Sequence, residues 1–144
     1  MSDSDPNVPE GFELFESSPF AALVGPFFVR PDEPPTFGLV IEERHLNTWG
    51  SAHGAVLTAL VDLALGHGVL SARGDGPPLV TAGLTTDFAF PVPLGTWIHA
   101  QADIQRLSRR AAYASCFVMS DGQRAVRASG IYISLSTSPE PNGT

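Results

Sequence analysis

The sequence predicts an α+β fold, in which one long helix lies against an antiparallel sheet. Three observations carry that expectation. The run from about residue 53 to 71, "HGAVLTALVDLALGHGVLS", is apolar in nearly every direction, as a helix buried on most sides must be. Downstream segments read instead as strands, rich in β-formers and alternating in places with Ile98, Ala100, Ala102 and Ile104 on one face. The connections between them are mostly short, and "DGQ" between two such runs is a hairpin signal, so the strands should pair antiparallel.

Taken in order, residues 1–10 are polar and acidic with two prolines and are expected to form a disordered tail. "GFELFESSPFAALVG" mixes aromatic and small residues and suggests one or two short helices. "FFVRPDEPPTFGLVIEE" reads as two extended pieces around a proline-rich break, because proline lacks a donor and restricts the residue before it. "RHLNTWGSA" is a loop, and "RGDGPP" ends the long helix. Four strands are expected after it: "LVTAGLTTDFAF", "TWIHAQADIQRL", "AAYASCFVMS" and "RAVRASGIYISLS". The organisation is thus a tail over 1–10, a single domain over 11–136 and a flexible tail over 137–144, with no internal repeat.

The formal net charge of −7 argues against nucleic acid as a partner. Asp62, Gly66 and His67 interrupt the longest apolar run, which makes it a poor membrane span, and the acidic N-terminus does not resemble a signal peptide. A cytoplasmic protein is expected. The one cysteine, Cys116, sits in a strand-like run and reads as a buried apolar residue. All positive charge is arginine. Arg106, Arg109, Arg110, Arg124 and Arg127 lie close in sequence, as a solvated sheet face or a phosphate site.

Asp62 is the one carboxylate inside the apolar run. An ionised carboxylate in such surroundings needs partners, because burying it alone is costly. The helix around it is apolar on nearly every side, and a flat sheet covers only one flank, so either the sheet wraps the helix or a second subunit covers the rest; both at once are expected.

The motif "NTWGSAHGA", followed by an aspartate eight residues after Gly54, resembles the N-x-x-G-x-x-H-G-G…D signature of hotdog-fold acyl-CoA thioesterases of the PaaI type, in the 4-hydroxybenzoyl-CoA thioesterase-like superfamily. "TAGLTTDFAFPVPLGTWIHAQADIQRLSRR" resembles a second stretch of that family, T-x-x-L-x-x-x-F-x-x-P, then a glycine turn and a strand ending in an Arg-rich hairpin. The resemblance implies a hotdog fold, a long central helix wrapped by a curved antiparallel sheet. It places Asp62 on the catalytic carboxylate and Gly54 on the residue whose N–H polarises the thioester carbonyl. Asn47 and His53 fall beside the thioester, and Thr81 where a Ser or Thr assists the water or the acid. Ala55 departs from the pattern, standing where the family usually has a second glycine. The resemblance also implies a homodimer that forms the site, and often a homotetramer.

The chemistry of the same residues agrees. A helix N-terminus carries free N–H groups and partial positive charge, and glycine there lets a carbonyl approach. Such a donor stabilises an oxyanion by about 2.7–4 kcal/mol. Asp62 can act as general base on water, or attack the carbonyl directly. If Gly54 and Asp62 lie on one helix, the eight residues between them span about 12 Å, too far for both to touch one carbonyl. If both act on one thioester, they must come from two chains, with the helices antiparallel across a two-fold axis.

The expected activity is therefore hydrolysis of an acyl- or aryl-CoA thioester, with no cofactor and no metal. Phe88 or Trp49 could line the acyl pocket, and Arg109 and Arg110 of the "RLSRR" turn could meet the CoA phosphates. Two alternatives use the same groove. One is a non-catalytic acyl-CoA or lipid-binding protein. The other is an enoyl-CoA hydratase, since Asp62 and His67 show that family's five-residue separation but lack its G-D-x-N-P-x-H context.

Overall fold

A single helix of 20 residues, Gly54–Arg73 (α2), runs across the inner face of an eight-stranded antiparallel sheet in the computed structural model, which describes residues 5–135. The strands are β1 (Glu13–Phe15), β2 (Phe27–Arg30), β3 (Thr36–Val40), β4 (Leu79–Phe88), β5 (Trp97–Gln101), β6 (Asp103–Leu107), β7 (Ala111–Ser120) and β8 (Gln123–Ser134). A short helix α1 (Pro19–Val24) lies between β1 and β2, and a 3-10 turn (Glu43–His45) follows β3. The sheet order is β1-β2-β3-β5-β7-β8-β4, with β6 also paired to β7. This is the long helix on an antiparallel sheet expected of a hotdog fold.

The helix forms where the apolar run is continuous and stops where local chemistry ends it. His53 is the N-cap, its Nδ1 accepting from the Ala55 N–H at 2.9 Å. Gly74 closes the other end with φ +65°, a conformation that favours glycine, and its N–H donates to the Leu70 carbonyl. Leu57, Leu60, Val61, Ala64, Leu65 and Val69 are buried against inward residues of the sheet such as Phe37, Leu39, Ile98, Val118 and Val126. Each large side chain of that set contributes roughly 1.5–3 kcal/mol on burial. The helix lies close to the sheet at Gly68, where an added Cβ would stand 2.5 Å from the Ala102 Cβ.

Several expectations need correction. Residues 11–25 hold one short helix preceded by strand β1, not helices alone. Five strands follow α2 rather than four, because "TWIHAQADIQRL" breaks at Ala102. The first half pairs with β3 and with the far end of β7, and the second half pairs with the near end of β7. That corner bends the sheet around the helix. The chain alone covers much of α2 and leaves one strip open. Ala55, Asp62 and Leu70 are exposed along one strip, with Thr58 and Gly66 half-buried between them. The helix has the length and hydropathy of a membrane span, but half of it is buried inside the fold. Of the expected tails, residues 5–10 are described, with a hydrogen-bonded turn at Asp5–Val8, and residues 1–4 and 137–144 lie outside the described residues.

Candidate active site

The inward pattern of β4 and β8 brings hydroxyls to the one acid of α2. Thr81 and Tyr132 are direct cross-strand partners in the β4–β8 ladder, so both side chains lie on the helix side of the sheet. Thr81 Oγ1 donates to Asp62 Oδ1 at 2.8 Å, and the Tyr132 hydroxyl donates to the same oxygen at 3.4 Å. A register shift directly after Thr81, between Thr81 and Gly83, marks a bulge of the kind that re-aims side chains. Asp62 is exposed in the single chain rather than buried, and among the described residues no donor reaches its Oδ2. It opens onto an apolar hollow of about 430 Å³ lined by Phe20, Ala55, Thr58, Ala59, Thr81 and Leu84.

Gly54 faces a different hollow, of about 330 Å³, with Asn47, Leu57, Phe88, Phe90 and Val92 among its lining. His53 Nδ1 takes the Ala55 N–H, and the His53 carbonyl takes those of Val56 and Leu57. Among the described residues no group accepts from the Gly54 N–H, so this first donor of the helix is available. Any Cβ at position 54 would lie 3.2 Å from the Phe88 ring, and glycine leaves that approach open. A polarising donor and an acid thus stand on one helix, eight residues or about 12 Å apart, each at its own hollow.

Asn47 is not a partner of Asp62. Its Oδ1 accepts from the N–H groups of Trp49 and Ser51 at 2.9 and 3.2 Å, and its Nδ2 donates to Ser51 Oγ at 3.1 Å. It therefore shapes the loop at the mouth of the Gly54 hollow. His53 makes no bond to Asn47 and serves the helix start.

A family model described as the thioesterase superfamily matches residues 50–126, which span the Gly54 donor, Asp62 and Thr81. The chain belongs to the thioesterase superfamily. A Pseudomonas aeruginosa protein, PA0474, an esterase by name, is 40% identical over 129 residues, covering 88% of this chain and 96% of that one. The acyl-coenzyme A thioesterase THEM4 of Xenopus laevis is 27% identical over 88 residues, 60% of this chain and 38% of that one. Among solved structures, the TT0310 protein of Thermus thermophilus superposes with a TM-score of 0.74 at 30% identity, over 83% of this chain and 100% of that one. A mutant of the phenylacetic acid degradation protein PaaI from the same organism gives 0.74 at 29%, over 82% and 100%. The activity class of this chain is thioester hydrolysis.

The remaining residues of this thioesterase divide by place. Arg109 and Arg110 are exposed in the turn between β6 and β7, where the carbonyls of Ser108 and Arg109 accept from the Arg73 guanidinium at the C-terminal end of α2. Arg127 pairs with Asp87 at 3.1 Å, and Arg124 lies over the Phe117 ring at 4.2 Å, so these two are engaged elsewhere on the sheet. Trp49 is 91% exposed and lines neither hollow, whereas Phe88 lines that of Gly54. Among the described residues no group of three or more His, Cys, Asp or Glu could hold a metal ion.

His67 packs its ring against Phe15 and Phe37, with centroids 5.0 and 5.3 Å away. Burial pulls its imidazole below the usual histidine value, against an upward pull from Asp62. Burial pushes the Cys116 thiol up to about 12, so it stays protonated and unreactive. Sequence reasoning missed Tyr132, and it missed His45. The His45 ring is buried, accepting from the Glu42 N–H at Nδ1 and bonding the Val24 carbonyl through Nε2 at 2.6 Å. That contact ties α1 to the loop leading into the site.

Proposed function

We propose that this thioesterase hydrolyses an acyl- or aryl-CoA thioester to the free acid and CoA, in a homodimer whose two sites each draw on both chains. Asp62 supplies the base or nucleophile. The N–H of Gly54 of the partner subunit polarises the thioester carbonyl, with Thr81 bonded to the acid and Asn47 and His53 shaping the donor end. No cofactor is needed, because water and the carboxylate supply the oxygen. We place the enzyme in the cytoplasm.

The carrying observation is the separation of Gly54 and Asp62 on one helix, each at its own half-open hollow. Neither hollow alone holds both an oxyanion donor and a base. Two further features support a second copy. Strand β4 is a sheet edge of 10 residues, a template for pairing with another chain. Apolar side chains beside the hollows are also open to solvent: Phe20 is 61% exposed and Phe88 52%. Two such dimers would make the homotetramer.

Arg109 and Arg110 would take the CoA phosphates. They sit beside Arg73, eleven residues beyond Asp62, or about 16 Å along the helix, a span suited to an extended pantetheine arm. The test is a panel of acyl-CoAs with a thiol-reactive dye. Release of free CoA from members of the panel is the expected result. Tight binding of every member with no thiol release would overturn the proposal.

A further inference from the structure

The chemistry proposed for Asp62 needs one carboxylate oxygen held and the other free, and the geometry around Oδ1 names a second residue for that task. Tyr132 is 1% exposed, and its hydroxyl is 3.4 Å from Asp62 Oδ1. A buried phenol without an acceptor is costly, so this contact anchors the tyrosine as well as the acid. The chain makes room for its ring. A Cβ at Gly130 would stand 2.8 Å from Tyr132 Cε2, and one at Gly66 would stand 3.6 Å from Cε1. Gly66 lies on the same helix as Asp62, so the ring is wedged between that helix and its own strand. Burial, with the Asp62 charge beside it, pushes the phenol well above its ordinary pKa. The hydroxyl therefore remains a donor wherever the enzyme works.

We propose that Tyr132 is a positioning residue for Asp62: with Thr81 it fixes Oδ1 and leaves Oδ2 as the oxygen that meets water or the thioester carbon. This rests on the hydrolytic reading of Asp62 and adds the residue that sets its rotamer. The register makes the arrangement possible, because a cross-strand pair delivers two hydroxyls to one point from adjacent strands. A carboxylate held at one oxygen by two donors loses its rotational freedom before substrate arrives, and such freezing contributes to rate rather than to binding.

The experiment compares Tyr132→Phe with Asp62→Asn and, as a control, Tyr113→Phe on the outer sheet face, in steady-state hydrolysis of the preferred acyl-CoA. For Tyr132→Phe the expected result is a fall in kcat of about tenfold with KM held within about twofold, the pattern of a group acting only at the transition state. Its melting temperature and oligomeric state should match wild type, and Tyr113→Phe should leave both constants unchanged. Wild-type kcat in Tyr132→Phe beside an inactive Asp62→Asn would overturn this inference and leave the hydrolytic reading standing. Wild-type kcat in Asp62→Asn would overturn both.

If Tyr132→Phe does not fold, the intact chain gives a second reading. It holds two tyrosines, so 3-fluorotyrosine labelling yields two 19F resonances. That of Tyr132 should move on Asp62→Asn and on binding a non-hydrolysable acyl-CoA thioether. A Tyr132 resonance indifferent to both would overturn the proposal.

Discussion

Thr81 and Asp62, nineteen residues apart and on different elements, are joined by a hydrogen bond of 2.8 Å from the Thr81 hydroxyl to Oδ1. The contact explains how an apolar helix carries its one acid with no ion pair among the described residues. It also predicts a graded response. Thr81→Val, which keeps shape and loses the donor, should lower kcat about tenfold, as expected for a lost hydrogen bond to a charged group. Thr81→Ser keeps the hydroxyl and should stay within about threefold of wild type. Equal kcat for valine and serine would remove Thr81 from the machinery.

Gly54→Pro deletes the proposed oxyanion donor, and the Cβ it adds 3.2 Å from the Phe88 ring is shared with Gly54→Ala, which serves as its control. Position 54 is the first residue of the helix, where proline is tolerated, and His53 already has the extended backbone (φ −64°, ψ 138°) that a following proline requires. The expected loss in kcat is about 100-fold or more, the scale of removing one oxyanion-hole donor. Gly54→Ala keeps the N–H and asks the Phe88 ring to move by a few tenths of an ångström, so it should lose far less. Stopped-flow thiol release from both variants checks the ranking.

Arg109→Ala with Arg110→Ala should raise KM for acyl-CoA several-fold at low salt and leave kcat nearly unchanged. The same double variant should be indistinguishable from wild type on an acyl-pantetheine, which lacks the CoA phosphates. Equal KM changes on the two substrates would place the phosphates elsewhere.

Burial holds the imidazoles of His67 and His99 below the usual histidine value; Asp62 opposes this at His67, and Arg30 adds to it at His99. The unfolded chain therefore binds more protons than the native one below a pH of about 6.5, and stability falls as pH drops through that value. Thermal unfolding between about pH 7.5 and 5.5 should show a falling midpoint, and His67→Phe, which suits the Phe15–Phe37 contact, should flatten the slope. An unchanged slope in the variant would assign the effect to other groups.

The fold was legible where periodicity and turn chemistry agree. The proline break at 31–35, the helix and its glycine stop, and the "DGQ" hairpin all stand close to where the sequence puts them. The corner at Ala102 was not legible, because the inward alternation of Ile98, Ala100 and Ala102 runs on into Ile104 while the pairing partner changes. Asp62 announced itself as the one charge in an apolar run. Tyr132 could not, since a strand hydroxyl reaches a helix carboxylate only in one register, and a slip of one residue would face it outward. Asn47 stands beside Gly54, as the resemblance implies, but its loop bonds were not legible: only the folded turn shows its Oδ1 accepting from the N–H groups of Trp49 and Ser51.

The proposed hydrolysis depends on Gly54 and Asp62 serving one thioester from two chains, and subunit complementation tests this most directly. Asp62→Asn and Gly54→Pro protomers, each inactive alone, are unfolded together, refolded as a 1:1 mixture and assayed. If the site spans two chains, mixed dimers regain one intact site, and random pairing should restore about a quarter of wild-type activity. No recovery in verified mixed dimers would contradict the shared site and return both groups to a single chain.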